Sequence, residues 1–306
     1  MRIRVLGSAA GGGFPQWNCN CRNCSGVRDG TLRAAARTQS SIAVCGPDGT
    51  HWALVNASPD ILAQLHANPA LHGARAARDS AIAGIVLVDG QVDHTVGLLM
   101  LRESGSALPV WCTEEVCADL THGNPIFGVL AHYCGVARHA MIPDGREFAI
   151  PGVAGVTWRA IAVSGKAAPY SLHRESPVSG DNVALVIGDE ASGRTVVYAP
   201  GVGAVHEALW QAMQAAACVL IDGTFWSDEE MTDLGVSHKR ARDLGHLPQS
   251  GPGGMLEWLG RLPQATRRLL IHVNNTNPIL DEDSAQHAEL ARCGIEVARD
   301  GLEIAP

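Results

Sequence analysis

Ile85-Val86-Leu87-Val88-Asp89-Gly90-Gln91-Val92-Asp93-His94-Thr95-Val96-Gly97-Leu98 decides how this chain is read. Four consecutive apolar residues, three of them β-branched, read as a strand buried on both faces, the pattern of a parallel sheet covered by helices. The run ends at Asp89, and an Asp-His pair, Asp93-His94, follows in the connection. Polar, metal-capable side chains delivered at the end of a buried strand mark the edge of an α/β sheet where ligands bind.

Apolar runs bounded by turn residues recur on either side of this stretch, at 3–6, 41–44, 52–56, 110–112, 156–163, 183–187, 195–199, 219–221 and 269–273. Gly46-Pro47-Asp48-Gly49 joins two of them with hairpin chemistry. Helical patterns lie between others, at 58–66 with Ser58 as N-cap and Pro59 at the first turn, and at 95–103, 205–217, 255–261 and 284–293. Strands with mixed connectivity and helices on both sides predict an α/β four-layer αββα sandwich, with a doubly wound sheet as the less consistent arrangement. The 306 residues are read as one domain, 1–306. Gly7 to Gly13 after the first strand lacks the Gly-Lys-Ser/Thr of a phosphate loop and runs into Pro15 rather than a helix.

Composition narrows the partners. A net charge of −8 and no Lys/Arg run argue against nucleic acid. No apolar run approaches the roughly 20 residues of a membrane span, and the start reads as a strand rather than a signal peptide, so a cytoplasmic location is expected. Nine cysteines, an odd and mostly dispersed number, speak against a disulfide framework. Three of them form Cys19-Asn20-Cys21-Arg22-Asn23-Cys24, a spacing that wraps one soft tetrahedral ion, so the 19–24 loop is expected to hold structural zinc. The fourth donor must come from elsewhere; a histidine or Asn275 are the candidates.

A second set of donors gathers at strand ends. His272 leaves the strand at 269–273 into Asn274-Asn275-Thr276-Asn277-Pro278 and, with Asp93 and His94, makes two imidazoles and a carboxylate. That is the ligand set of non-haem Fe(II) centres that keep positions open for substrate and oxygen. Asp222 also ends a strand; it is expected to contact substrate or metal or to orient His272, with hydrogen bonding to its own turn as the alternative.

The residues at 7–19, 56–60, 89–98, 245–248 and 272–278 give the chain, over nearly its whole length, a resemblance to the pyrroloquinoline quinone (PQQ) biosynthesis family of the metallo-β-lactamase superfamily. The superfamily's His-x-His-x-Asp-His stands here as Asp89-Gly90-Gln91-Val92-Asp93-His94, and its later histidine and bridging aspartate fall at Ser164-Gly165 and Gly201. The resemblance therefore implies loss of one of two metal positions and disfavours a hydrolase built on a metal-bridged hydroxide. It implies a single active-site metal on Asp93, His94 and His272, with Asp89 and Gln91 lining the vacated position as substrate-binding groups and His246 as a proton donor. The reaction it suggests is iron-dependent hydroxylation of the tyrosine-derived ring of a PQQ precursor, taken as a peptide or as a cross-linked Glu-Tyr intermediate, alongside other proteins of that pathway. Zinc can replace Fe2+ in purified protein because it binds such ligands more tightly. The alternative is a non-catalytic carrier for PQQ or its precursor.

Overall fold

A computed structural model describes residues 1–73 and 75–306. One sheet contains β1 (Arg2–Gly7), β2 (Ser41–Cys45), β3 (Trp52–Val55), β4 (Ile82–Val86), β5 (Leu108–Cys112) and β6 (Val136–Ala140). The other contains β7 (Asp144–Phe148), β8 (Val156–Ala162), β9 (Val183–Asp189), β10 (Thr195–Ala199), β11 (Cys218–Asp222), β12 (Arg267–Ile271) and β13 (Ile295–Val297), and the short β14 (Glu303–Ile304) returns to the first. The orders are β14-β1-β2-β3-β4-β5-β6 and β13-β12-β11-β10-β9-β8-β7. Each sheet has an antiparallel half next to a parallel half, with β3 to β6 and β10 to β13 running parallel.

Alternation along the strands builds the layers. Ile42 and Val44 of β2 and Val196 and Tyr198 of β10 meet in the core between the sheets. Their neighbours Ala43 and Cys45 join the helix-covered outer face of the first sheet. Val197 and Ala199 join that of the second, beside Leu209, Met213 and Leu259. Both faces of these strands are buried, which is why they read as near-continuous apolar runs. The αββα sandwich expected from the sequence is the fold observed.

Several elements differ from the sequence reading. The polar β6 and β7 and the short β13 and β14 lie at the edges of their sheets or beside them, where no apolar run is required. The helix expected from Ser58 begins at Ile61, because the Ser58 hydroxyl caps a tight turn by accepting from the Asp60 N–H at 3.2 Å. The helix expected at 95–103 is a single α turn, Val92–Thr95, followed by a 3-10 segment, Val96–Leu101. Asp93 and His94 thus sit on a helical turn rather than in an open loop. That turn docks on the loop after β3: the Ala57 N–H donates to the His94 carbonyl at 2.7 Å and the Gly97 N–H to the Ala57 carbonyl at 2.9 Å. A Cβ on Gly97 would come within 2.1 Å of the Ser58 carbonyl oxygen, so glycine is required for this close approach.

Candidate metal centre

The ends of the parallel strands converge on one crevice. After β4 the Asp89 carboxylate accepts from the Gln91 N–H at 2.9 Å and starts the turn that carries Asp93 and His94. Both Asp89 oxygens lie 2.8 Å from His94 Nδ1. Asp89 thus accepts from Nδ1 and turns Nε2 inward, where it is buried without any hydrogen-bond partner. After β12, His272 adopts φ 61°, a left-handed conformation that is uncommon for histidine. Its neighbour Val273 is clamped to the loop after β1, donating to the Ser8 carbonyl and accepting from the Ala10 N–H, each at 2.9 Å. Thr224 Oγ1 donates to Asp222 at 2.6 Å and so accepts from His272 Nδ1 at 2.8 Å, which turns Nε2 toward Asp93.

Asp93 Oδ2 lies 3.2 Å from His272 Nε2 and 3.8 Å from His94 Nε2. One donor atom from each of the three residues falls within 4.8 Å of the others. A Cβ on Gly11 would stand 3.3 Å from Asp93 Oδ2, so the glycine loop after β1 packs directly on this carboxylate. Burial disfavours both charged forms, but the attraction of the pair wins: Asp93 is held well below the ordinary carboxylate range by His94 and His272. His94 is held up at about 9, burial being outweighed by Asp89 and Asp93. The sites where these two residues hold a proton and a negative charge are the sites a cation would take over.

Asp222, His246 and His272 also approach one another. They are not an equivalent ligand set. The fully buried Asp222 carboxylate accepts from the Val202 N–H (2.8 Å), the Thr224 N–H (3.0 Å), Thr224 Oγ1 (2.6 Å) and His246 Nδ1 (2.7 Å). The expectation that Asp222 contacts substrate is corrected: it does not line the cavity, and its oxygens are saturated. It holds His246 through Nδ1; the His246 ring stacks on His272 with centroids 5.5 Å apart, and its pKa rises, Asp222 outweighing burial.

The crevice has a volume of about 300 Å³ and includes Asp89, Gln91, Asp93, His94, His246 and His272 in its lining. Asp89 reaches it, as expected of a substrate contact, and its carboxylate also accepts from His94 Nδ1 and from the Gln91 N–H. Gln91 donates from Nε2 to the Lys166 carbonyl at 3.1 Å. Ser164 Oγ turns to the Ala204 carbonyl at 3.4 Å, and Gly201 contributes only backbone to the lining. Thr224, Lys166, Arg174 and Asn182 escape the sequence reading, because a lone threonine or scattered basic and amide residues in loops carry no motif.

A second cluster lies on the far side of the 272–277 loop. Cys21 caps the helix Arg22–Asp29, and Cys24 is on its first turn, so the cysteines straddle a helix start instead of occupying a loop throughout. Their Sγ atoms lie within 4.8 Å of one another, with no fourth His, Cys, Asp or Glu in the group among the described residues. Asn275 Nδ2 points into the cluster, 3.0 Å from Cys19 Sγ and 3.4 Å from Cys24 Sγ. Asn23 fixes the same loop by donating to the Asn275 and Asn277 carbonyls at 3.1 and 2.9 Å. Burial opposes charge on the thiols; hydrogen bonds from Cys21, Cys24 and Asn275 nevertheless lower Cys19, while Cys21 is pushed up to about 11. Three sulfur donors within reach of one another suit a soft cation.

A Beta-lactamase superfamily domain matches residues 51–273. The chain therefore belongs to that superfamily. It is 61% identical over 302 residues to the Coenzyme PQQ synthesis protein B of Azoarcus sp. (strain BH72), with 99% of each chain covered. It is 55% identical over 304 residues to that of Methylococcus capsulatus, again with 99% of each covered. The crystal structure of Zn(2+)-bound PqqB from Methylobacterium extorquens superposes with a TM-score of 0.89 at 37% identity, covering 100% of both chains. Within the superfamily the chain belongs to the coenzyme PQQ synthesis protein B family. A diphosphatase from the PhnP family, at TM-score 0.68 and 18% identity over 100% of this chain and 97% of that one, shares the fold.

Proposed function

We propose that this protein acts in PQQ biosynthesis as a non-haem Fe(II)-dependent hydroxylase of the tyrosine-derived ring of a precursor. The observation that carries the reading is the buried, partnerless Nε2 of His94 beside Asp93 Oδ2, with His272 Nε2 opposite and both imidazoles oriented through Nδ1. A buried nitrogen left without a partner costs about 1–3 kcal/mol, and a metal that displaces its proton is what two such imidazoles and a carboxylate fit. Asp93, His94 and His272 would hold the ion; Fe(II) there supplies the one-electron chemistry that makes dioxygen reactive. Three protein donors leave room for substrate, whereas Asp89, Gln91, Ser164 and Gly201 stand where a second metal would need ligands.

The chain's own groups then bind and orient. Asp89 and Thr224 keep the two imidazoles in the ligating tautomer. His246, aligned by Asp222 through Nδ1, turns its Nε2 edge to the cavity and moves a proton to or from the phenol oxygen of the ring. Gln91 holds the wall that carries Lys166. Across the 272–277 loop, Cys19, Cys21, Cys24 and Asn275 form a closed structural zinc site, the amide oxygen of Asn275 completing it once the side chain turns over.

The test is anaerobic reconstitution with Fe(II), then exposure to oxygen and ascorbate, the two-electron reductant, with a Glu-Tyr precursor analogue. Product mass is read beside His272→Ala. A gain of one oxygen that requires both iron and His272 is expected. Tight binding of precursor or quinone without turnover would overturn the hydroxylase in favour of a carrier.

A further inference from the structure

We propose that Lys166 and Arg174 form an anion subsite in the wall of the metal crevice that takes a carboxylate of an aromatic, amino-acid-derived substrate. The inference deepens the hydroxylase reading and rests on it for the identity of the crevice. It starts from charge. The acidic groups lining the crevice, Asp89 and Asp93, are hydrogen-bonded to imidazoles. The two permanent cations that line it have no carboxylate partner among the described residues. In a chain with a net charge of −8, two uncompensated cations beside a metal centre are a selective feature.

Both are held by their surroundings. The Lys166 carbonyl accepts from Gln91 Nε2 at 3.1 Å and from Asn182 Nδ2 at 3.4 Å, which fixes its backbone. Its stem crosses Gly245, whose φ is +89° and on which a Cβ would stand 3.1 Å from Lys166 Cγ. The next residue is His246, so the lysine lies over the loop that presents the imidazole. Arg174 donates from one guanidinium nitrogen to the Ala167 carbonyl, which ties it to the same 165–174 segment and leaves donors of its planar fork for a ligand. Both side chains are half-buried, so a ligand ion pair here is stronger than on an open surface and still accessible. A carboxylate seated between them would place an attached ring toward the metal donors and His246. The precursor class of the hydroxylase reading carries glutamate- and tyrosine-derived carboxylates, whereas a neutral phenol would leave both cations unanswered.

The test uses full-length protein loaded with zinc, so that binding is read without turnover. The probes are 5-hydroxyisophthalate, its neutral dimethyl ester and phenyl phosphate, titrated calorimetrically against wild type, Lys166→Met, Arg174→Gln and Lys166→Arg, each with its metal content measured. Metal content unchanged, about tenfold or greater loss of the dicarboxylate in the two neutral variants, retention in Lys166→Arg and no change for the ester are expected. Equal dicarboxylate affinity in wild type and both neutral variants would overturn the subsite, and so would a preference for phenyl phosphate over the dicarboxylate. Failure of oxygen insertion leaves these affinities as they are, and failure of these affinities leaves oxygen insertion as it is, so the two readings fall separately.

Discussion

The cysteine cluster and the Asp-His centre stand on opposite sides of one loop, three residues apart at His272 and Asn275, and differ in what they leave open. Around Cys19, Cys21 and Cys24 an amide fills the remaining direction, and the loop carbonyls are tied down by Asn23. Around Asp93, His94 and His272 the remaining directions face a cavity of about 300 Å³. A set of donors closed by the protein suits a structural ion, and one that stops at three suits chemistry. The loop that joins them gives each centre one of its fixed points, His272 to one and Asn275 to the other.

The sharpest break in this comparison is to remove one donor from each side. His272→Ala should abolish turnover, by about a thousandfold or more, and lower metal content by one ion per chain, while the cysteine-bound ion stays; elemental analysis with activity reads both. Cys24→Ser should do the reverse in metal content and lower the thermal unfolding temperature, because a structural ion contributes to folding directly. Equal loss of both ions in either variant would mean that the centres are not separable.

Asp89→Asn sharpens the view that Asp89 orients His94 rather than binding substrate. Active-site metal affinity should fall about 10- to 100-fold with little change in KM for precursor, as competition with a chelating dye would reveal. A rise in KM with metal affinity intact would return Asp89 to the substrate.

Proton linkage separates the centres by pH. His94 titrates near 9 in the metal-free protein, so below that pH an incoming ion displaces its proton. Apparent affinity at the Asp-His centre should rise about tenfold per pH unit toward pH 9 and flatten above, with about one proton released at neutral pH, measured by calorimetry in buffers of different ionisation enthalpy. The sign for stability is opposite in the metal-free protein. A raised histidine stabilises fully below its unfolded value of about 6.5, and that contribution is lost as pH rises through about 9; depressed Asp93 contributes above its ordinary range and loses it as pH falls. The smallest effect is expected at the docking contact. Gly97→Ala forces a Cβ against the 57–58 backbone and should destabilise by roughly 1–3 kcal/mol, with metal affinity reduced only secondarily, as denaturant unfolding would measure.

Legibility followed chemistry that is local in sequence. The strand before Asp89, the Asp93-His94 pair, His272 beside its Asn-rich loop and the cysteine spacing were all readable, because each carries its own pattern. The long strands were readable for the same reason: β2, β9 and β10 bury both faces, so apolar runs mark them. The edge strands β6 and β7 bury little and look like loops. Roles set by partners distant in sequence were misread or missed. Asp222 looked like a substrate contact until Thr224 and His246, two and 24 residues on, were seen to occupy it. Lys166 and Arg174 belong to a segment without regular structure, and only the fold brings them to the metal crevice.

The most direct measurement is X-ray absorption at the iron edge of anaerobically loaded, zinc-replete protein. Iron bound by nitrogen and oxygen only is expected, with the multiple scattering of two imidazoles and no neighbouring metal, and loss of that signal in His272→Ala. Sulfur in the iron shell, or a second metal at bridging distance, would contradict a single open centre on Asp93, His94 and His272.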